Sequence, residues 1–139
     1  MSARSLNYMQ KTATVAVINR QNKLLILRRG KTAPWMPGRY CLPGGRVEPF
    51  EDSQYAAARE LSEETGISFP VDRLNNITIT YSDNYSKLVY IAKVDSPIVS
   101  LNYEHDDYAW ISFDESSLYS LVPNLKKTLC SLKNYNYIV

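Results

Sequence analysis

Residues 45–67 read GRVEPFEDSQYAAARELSEETGI, and the part from about residue 52 to residue 65 is rich in Ala, Glu, Arg and Leu. This is the strongest helix signal in the chain. Asp52 or a neighbour can cap such a helix, acidic residues open it, and Gly66 suits the position just past its end. Ala57, Ala58 and Leu61 fall on one side, the side that would pack on a sheet. The same geometry gathers the carboxylates. At about 100° per residue, Glu60 and Glu64 stand one turn apart on one face, with Glu63 beside them. Like charges at these spacings cost a helix a few tenths of a kcal/mol each, so the array needs compensation. One compensation is a solvated acidic face relieved by Arg59. The other is a hard divalent cation, which takes oxygen ligands and shares them with phosphates.

The surroundings bear on that choice. Pro43-Gly44-Gly45 lies just ahead, and two adjacent glycines let a backbone approach a ligand or metal closely. Arg28, Arg29 and Arg46 can neutralise phosphate oxygens. Alternation along a strand sends Arg28 and Arg29 to opposite faces, so at most one of them lines a given site. Strand patterns occupy residues 12–18, 23–29, 40–42, 76–81, 87–94 and 108–113, with turns at residues 20–22 and 82–84. Asp114 is placed to cap a short helix reaching residue 119. Pro123 suits the first turn of a last helix, whose Leu125, Leu129 and Leu132 form an apolar stripe. Strands around one central helix, closed by a C-terminal helix, predict an α/β sandwich with helices covering a mixed sheet.

A chain of 139 residues holds one domain, residues 1–139, with residues 1–10 as a loosely ordered leader. A net charge of +2 is small for a nucleic-acid binder, so no nucleic-acid partner is expected. The 11 tyrosines argue against disorder. No apolar run approaches a membrane span and residues 1–10 lack a signal-peptide core, so a cytoplasmic protein with no membrane partner is expected. Cys41 and Cys130 read as two reduced thiols. His105 is the only histidine. A Ser-His-Asp enzyme would have to use it, and a loop position is the plainer reading.

Gly45, five residues, Glu51, seven residues, Arg59-Glu60-Leu61, one residue, Glu63-Glu64, one residue, Gly66-Ile67 matches the complete box of the Nudix hydrolases. The resemblance is strict over these residues and extends loosely from Thr12 to Phe113. Gly38, Leu42, Pro43 and Gly44 fit the segment such enzymes carry ahead of the box, and Tyr40 stands where many have Trp. The resemblance implies an α/β/α sandwich with a central mixed sheet, and cleavage of the diphosphate linkage in a nucleoside diphosphate joined to another group. By matching position, Glu60, Glu63 and Glu64 would hold Mg²⁺ or Mn²⁺, with the Gly45 carbonyl as a further ligand. Arg59 and Glu51 would orient the array. Water would attack one phosphorus in line, with a box glutamate or a later carboxylate as base. Glu104, six residues before Trp110, is the later candidate; an acidic surface loop is its plain alternative. Members are often dimers, so a homodimer is possible.

The substrate is less constrained. (Deoxy)nucleoside triphosphates are slightly favoured, from the chain's size and the LeuLeuIleLeuArgArg strand. ADP-ribose or other sugar nucleotides and dinucleoside polyphosphates are the alternatives. Arg28, Arg46 and Tyr85 are the substrate-binding candidates. Trp35, Tyr40 and Tyr81 are, with Tyr85, possible platforms for a base. A non-catalytic nucleotide sensor on the same fold is the competing class, though an inactive relative would be expected to lose box glutamates. An RNA-processing role has no support in charge or size.

Overall fold

The computed structural model describes residues 11–82 and 85–139, and for residues 82, 85 and 86 the backbone alone. The expected leader and the tip of the expected turn at residues 82–84 lie outside it. The strands are β1 (Thr12–Ile18), β2 (Leu24–Arg29), β3 (Tyr40–Cys41), β4 (Gly44–Arg46), β5 (Asn75–Ser82), β6 (Tyr85–Lys93) and β7 (His105–Ile111). The helices are α1 (Ser53–Thr65) and α2 (Leu125–Asn134), with 3₁₀ turns at Val71–Arg73 and Asp114–Leu118.

The strand order is β3-β2-β1-β6-β5, with β4 added to β1 and β7 to β2. Only β1 and β6 run parallel, from Thr14 opposite Val89 to Ile18 opposite Lys93. The other pairs are antiparallel. β1 and β2 meet at Ile18 and Leu24 and then part. Thr12–Thr14 pair with β4, and Leu27 and Arg28 pair with β3. The opening between the two strands gives room for a site.

Strand alternation divides the core into two layers. Ala13, Val15, Val17, Leu25 and Leu27 pack with Ala56, Ala57 and Leu61 of α1. Ala16, Ile18, Leu24 and Ile26 pack with Leu125, Leu129 and Leu132 of α2. Sequence neighbours thus serve opposite faces, and both are covered by a helix. This is the expected α/β/α sandwich, and the expected leucine stripe is core. No helix among the described residues is long and apolar enough to cross a membrane.

Several expectations shift in detail. Ala56 is fully buried in α1, while Ala58 is only partly covered. α1 opens at Ser53 with no acidic residue in its first turn, and the Asp52 side chain makes no cap hydrogen bond. Gly66 ends it as expected, at φ 75° with its N–H on the Ser62 carbonyl. Pro123 precedes α2, whose first flanking residue is Asn124 at φ 73°. The short turn is flanked by Phe113 instead of Asp114. Ser112 and Glu115 satisfy each other's backbone N–H across it, at 2.8 and 3.2 Å. β7 begins at His105, so this histidine is a buried strand residue and not a loop residue.

Candidate active site

A cavity of about 650 Å³ opens where β1 and β2 part. Gly44, Gly45 and Glu64 form one end of its wall, and Glu104 and His105 another part. Val89, Leu125 and Thr128 contribute from β6 and α2.

The carboxylate array sits beside the glycine end. Glu64 is 3 % exposed, although it is an acid on a helix. The Gly44 N–H donates to its Oε1 at 3.0 Å. Burial pushes the Glu64 carboxyl up to about 9; the Gly44 N–H opposes this, and the nearby charges of Glu60 and Glu104 add to it. Burial likewise raises Glu60, against the pull of Arg59. Glu60 lies flat against β4, where a Cβ built on Gly45 would stand 2.6 Å from Glu60 Oε1. Such a contact is closer than real Cβ atoms keep, so the missing side chain at Gly45 is what admits the carboxylate.

Arg59 supplies the array's standing positive charge. Its Nε donates to Glu51 Oε2 at 2.7 Å and its Nη2 to Glu51 Oε1 at 3.0 Å. Its Nη1 reaches Glu60 Oε2 and Glu63 Oε1, each at 3.3 Å, and Nη2 also donates to the Arg46 carbonyl at 3.1 Å. Hydrogen bonding to Glu51 is the main cause that raises the guanidinium and lowers Glu51. Among the described residues Glu64 has no arginine or lysine partner.

The other sequence candidates divide. Glu104 lines the cavity, near enough for its charge to raise both Glu60 and Glu64. Its backbone carbonyl accepts the Gly30 N–H at 3.0 Å. Glu63 lies outside the cavity wall, with a side chain 53 % exposed. Arg28 is turned away: it pairs with Asp106 at 2.6 Å and Asp107 at 3.9 Å. Its neighbour Arg29 lines the cavity instead, as period-two alternation allows for only one of the two. Arg29 Nε donates to the Trp35 carbonyl at 2.6 Å, and its guanidinium lies 5.3 Å from the Trp35 ring centre. Arg46 is exposed and gives the site its carbonyl, not its charge. Of the aromatic candidates, Trp35 and Tyr81 line the cavity. Tyr40 packs edge-on against Tyr119 at 5.0 Å. The Tyr85 side chain is outside the described residues.

Among the described residues His105 makes no hydrogen bond to a hydroxyl. Its Nε2 is 3.6 Å from Cys41 Sγ. Burial lowers the imidazole and pushes the thiol up to about 11, which leaves a neutral pair. The His105 Nδ1 is buried without a hydrogen-bond partner. Both cysteines are free, as expected.

Lys87 was not anticipated. It lines the cavity from β6, and burial lowers its ammonium. The available signal was parity: Lys87 shares a strand face with Val89 and Ile91, both core residues.

Divalent-cation chemistry suits this donor set. The buried Glu64 and the partly buried Glu60 lie within reach of each other's charge, beside a Gly45 whose missing Cβ leaves room for the Glu60 carboxylate. Hard oxygen donors of this kind favour Mg²⁺ or Mn²⁺. No three His, Cys, Asp or Glu side chains among the described residues already form a cage, so phosphate and water oxygens would complete the shell.

Comparison with known proteins agrees with the box and the fold. The family model described as NUDIX domain matches residues 9–132. A nucleoside triphosphatase, NudI, of Salmonella paratyphi B is 29 % identical over 133 residues, covering 86 % of this chain and 94 % of that protein. The MutT protein of Methanosarcina mazei superposes with a TM-score of 0.72 at 26 % identity, covering 91 % of this chain and 94 % of that one. A C. elegans Ap4A hydrolase shares the fold, with a TM-score of 0.70 at 24 % identity and coverage of 91 % and 98 %. With the NUDIX match spanning most of its length, the chain belongs to the NUDIX domain family and is a Nudix pyrophosphohydrolase.

Proposed function

We propose that the chain hydrolyses (deoxy)nucleoside triphosphates at a diphosphate linkage, with Mg²⁺ or Mn²⁺ held by Glu60, Glu63, Glu64 and the Gly45 carbonyl. The observation that carries this reading is Glu64. It is a buried acid at the wall of a large cavity, beside a second acid and without a basic partner among the described residues. An unpaired buried carboxylate is costly, and a cation shared with phosphate oxygens removes that cost. The likeness to a nucleoside triphosphatase supports the substrate class.

When bound, the cation neutralises phosphate oxygens and makes water more acidic. The protein does the rest. Glu51 holds Arg59, and Arg59 holds Glu60 and Glu63 in place for ligation. Glu104, across the cavity, takes the proton from the attacking water at its carboxylate. Arg29 stands on the cavity wall as counter-charge for the substrate's phosphates.

A phosphate-release screen with Mg²⁺ and Mn²⁺ tests the proposal, with coupled phosphatase or pyrophosphatase as each product requires. It should cover nucleoside triphosphates, ADP-ribose, sugar nucleotides and diadenosine polyphosphates. Preference for triphosphates, abolished in Glu64→Gln, is the expected result. A sugar nucleotide or dinucleotide as the best substrate would replace the substrate class. Silence across the panel from folded, metal-binding protein would favour a nucleotide sensor.

A further inference from the structure

Lys87 presents a problem that the hydrolytic machinery does not answer. It sits on β6 where the antiparallel register sets it opposite Ile79, a fully buried residue of β5. Its face of the sheet is the α2 face, shared with Val89 and Ile91. The part of the cavity wall that β5, β6 and α2 supply beside it is apolar or neutral: Tyr81, Val89, Leu125 and Thr128. Among the described residues the Lys87 ammonium makes no ion pair and no hydrogen bond. The nearby Lys126 and Lys127 both find partners, on Ser116 and the Tyr81 carbonyl. Among the described residues Cys41 is the titratable side chain whose charge bears on Lys87, and it is a thiol held neutral. Glu64, from the helix on the opposite face, and Glu104 line the same cavity, and among the described residues neither forms an ion pair with Lys87.

A lysine offers three donors and no acceptor. Held against an apolar wall without a partner, it is arranged for an acceptor brought by the ligand. Phosphates belong at the Gly45–Glu64 end, so the flat remainder of a nucleotide falls to this wall. Bases divide sharply in what they offer there. Guanine, uracil and thymine carry a keto oxygen where adenine and cytosine carry an amino group. An ammonium bonds the first and clashes, donor against donor, with the second.

We propose that Lys87 is a specificity-determining residue of the cavity and selects nucleotides whose base carries a keto oxygen at the purine 6 or pyrimidine 4 position. This rests on the nucleotide reading above, and the experiment separates the two. Binding of GMP, UMP, AMP and CMP is measured by calorimetry on the wild type, Lys87→Met and Lys87→Gln. kcat/KM is then measured for the matching triphosphates with Mg²⁺. Circular dichroism and thermal melting establish that the variants fold.

GMP and UMP should bind the wild type about 10- to 100-fold more tightly than AMP and CMP, the range of one charge-assisted hydrogen bond. Lys87→Met should erase the difference by weakening the keto bases alone. Lys87→Gln, whose amide both donates and accepts, should narrow it. The same pattern should appear in kcat/KM, carried by KM. Equal binding of all four monophosphates by the wild type would overturn the proposal. So would a Lys87→Met variant that loses all four alike, which would make Lys87 a phosphate contact. Selective binding without turnover would sustain Lys87 as a reader of bases and remove the hydrolase reading.

Discussion

The Arg59 guanidinium closes a two-pronged fork on Glu51, with Nε to Oε2 at 2.7 Å and Nη2 to Oε1 at 3.0 Å. Glu51 lies before α1 and Arg59 lies within it, so the fork ties the loop to the helix. A planar donor pair on a planar acceptor pair fixes orientation as well as distance. Replacing Glu51 with Gln removes one acceptor and the charge. Glu51→Gln should lower kcat about 10- to 100-fold, the usual cost of losing an outer partner of a metal site. The Mg²⁺ concentration for half-maximal rate should rise while KM for the nucleotide stays near its original value. Steady-state kinetics at several Mg²⁺ concentrations checks this.

Gly44 and Gly45 should fail in different ways. A Cβ on Gly44 would stand 2.9 Å from Thr14 Cα, a backbone atom of the paired strand. Gly44→Ala must push β4 off β1 and should cost about 1–3 kcal/mol of stability, the range for overpacking. The three atoms nearest a Cβ on Gly45 all belong to the Glu60 carboxylate, which can swing aside. Gly45→Ala should therefore melt close to wild type and lose turnover. Melting curves and rates for the two variants make the comparison.

Glu64→Gln should separate folding from catalysis. With the Glu64 carboxyl at about 9 in the metal-free protein, the group is mostly neutral at pH 7. A neutral amide can keep the bond from the Gly44 N–H. Melting in EDTA should stay within about 0.5 kcal/mol of wild type, the usual range for a substitution that breaks no feature. Stabilisation by Mg²⁺ with nucleotide should vanish, and turnover should fall at least about 100-fold with loss of a charged ligand.

Lys87 should make stability depend on pH. Burial lowers its folded-state pKa below the ordinary 10.5 of the unfolded chain. The folded state therefore binds fewer protons between those two values, and stability rises with pH across that window. Below the folded pKa the burial penalty is fully present; above 10.5 it is gone. Lys87→Met should melt higher than wild type at neutral pH, and the gap should close as pH approaches 10.5. Paired thermal melts cancel the titration of other groups.

The carboxylate array could be read from sequence because one helix carries it. Once Glu60, Glu63 and Glu64 lie on α1, their relative placement follows from the helix repeat. The two core layers were legible for a similar reason, since strand alternation and the leucine stripe each have a fixed period. Positions that depend on pairing between distant strands were not. His105 read as a loop residue because Glu104-His105-Asp106-Asp107 is polar, yet its pairing opposite Arg29 puts it in β7. Either Arg28 or Arg29 satisfied alternation; the bulge between them and the acidic pair on β7 assign Arg29 to the cavity. Lys87 opens the strand expected at residues 87–94, and the sequence assigns it no role there. Only β5 on one side and α2 below enclose it.

The parallel pairing of β1 with β6 has a consequence for how the molecule is made. Thr14 pairs with both Gly44 and Val89, so the strand that carries the glycine end of the site is completed only by residues far along the chain. Contacts so distant in sequence form late, because a long loop must close first. On the ribosome, β1, β4 and α1 emerge while the apolar edge of β1 still lacks its neighbour. A chain arrested before residue 89 thus displays a largely hydrophobic strand with one edge unpaired, the kind of edge that recruits chaperones or other nascent chains.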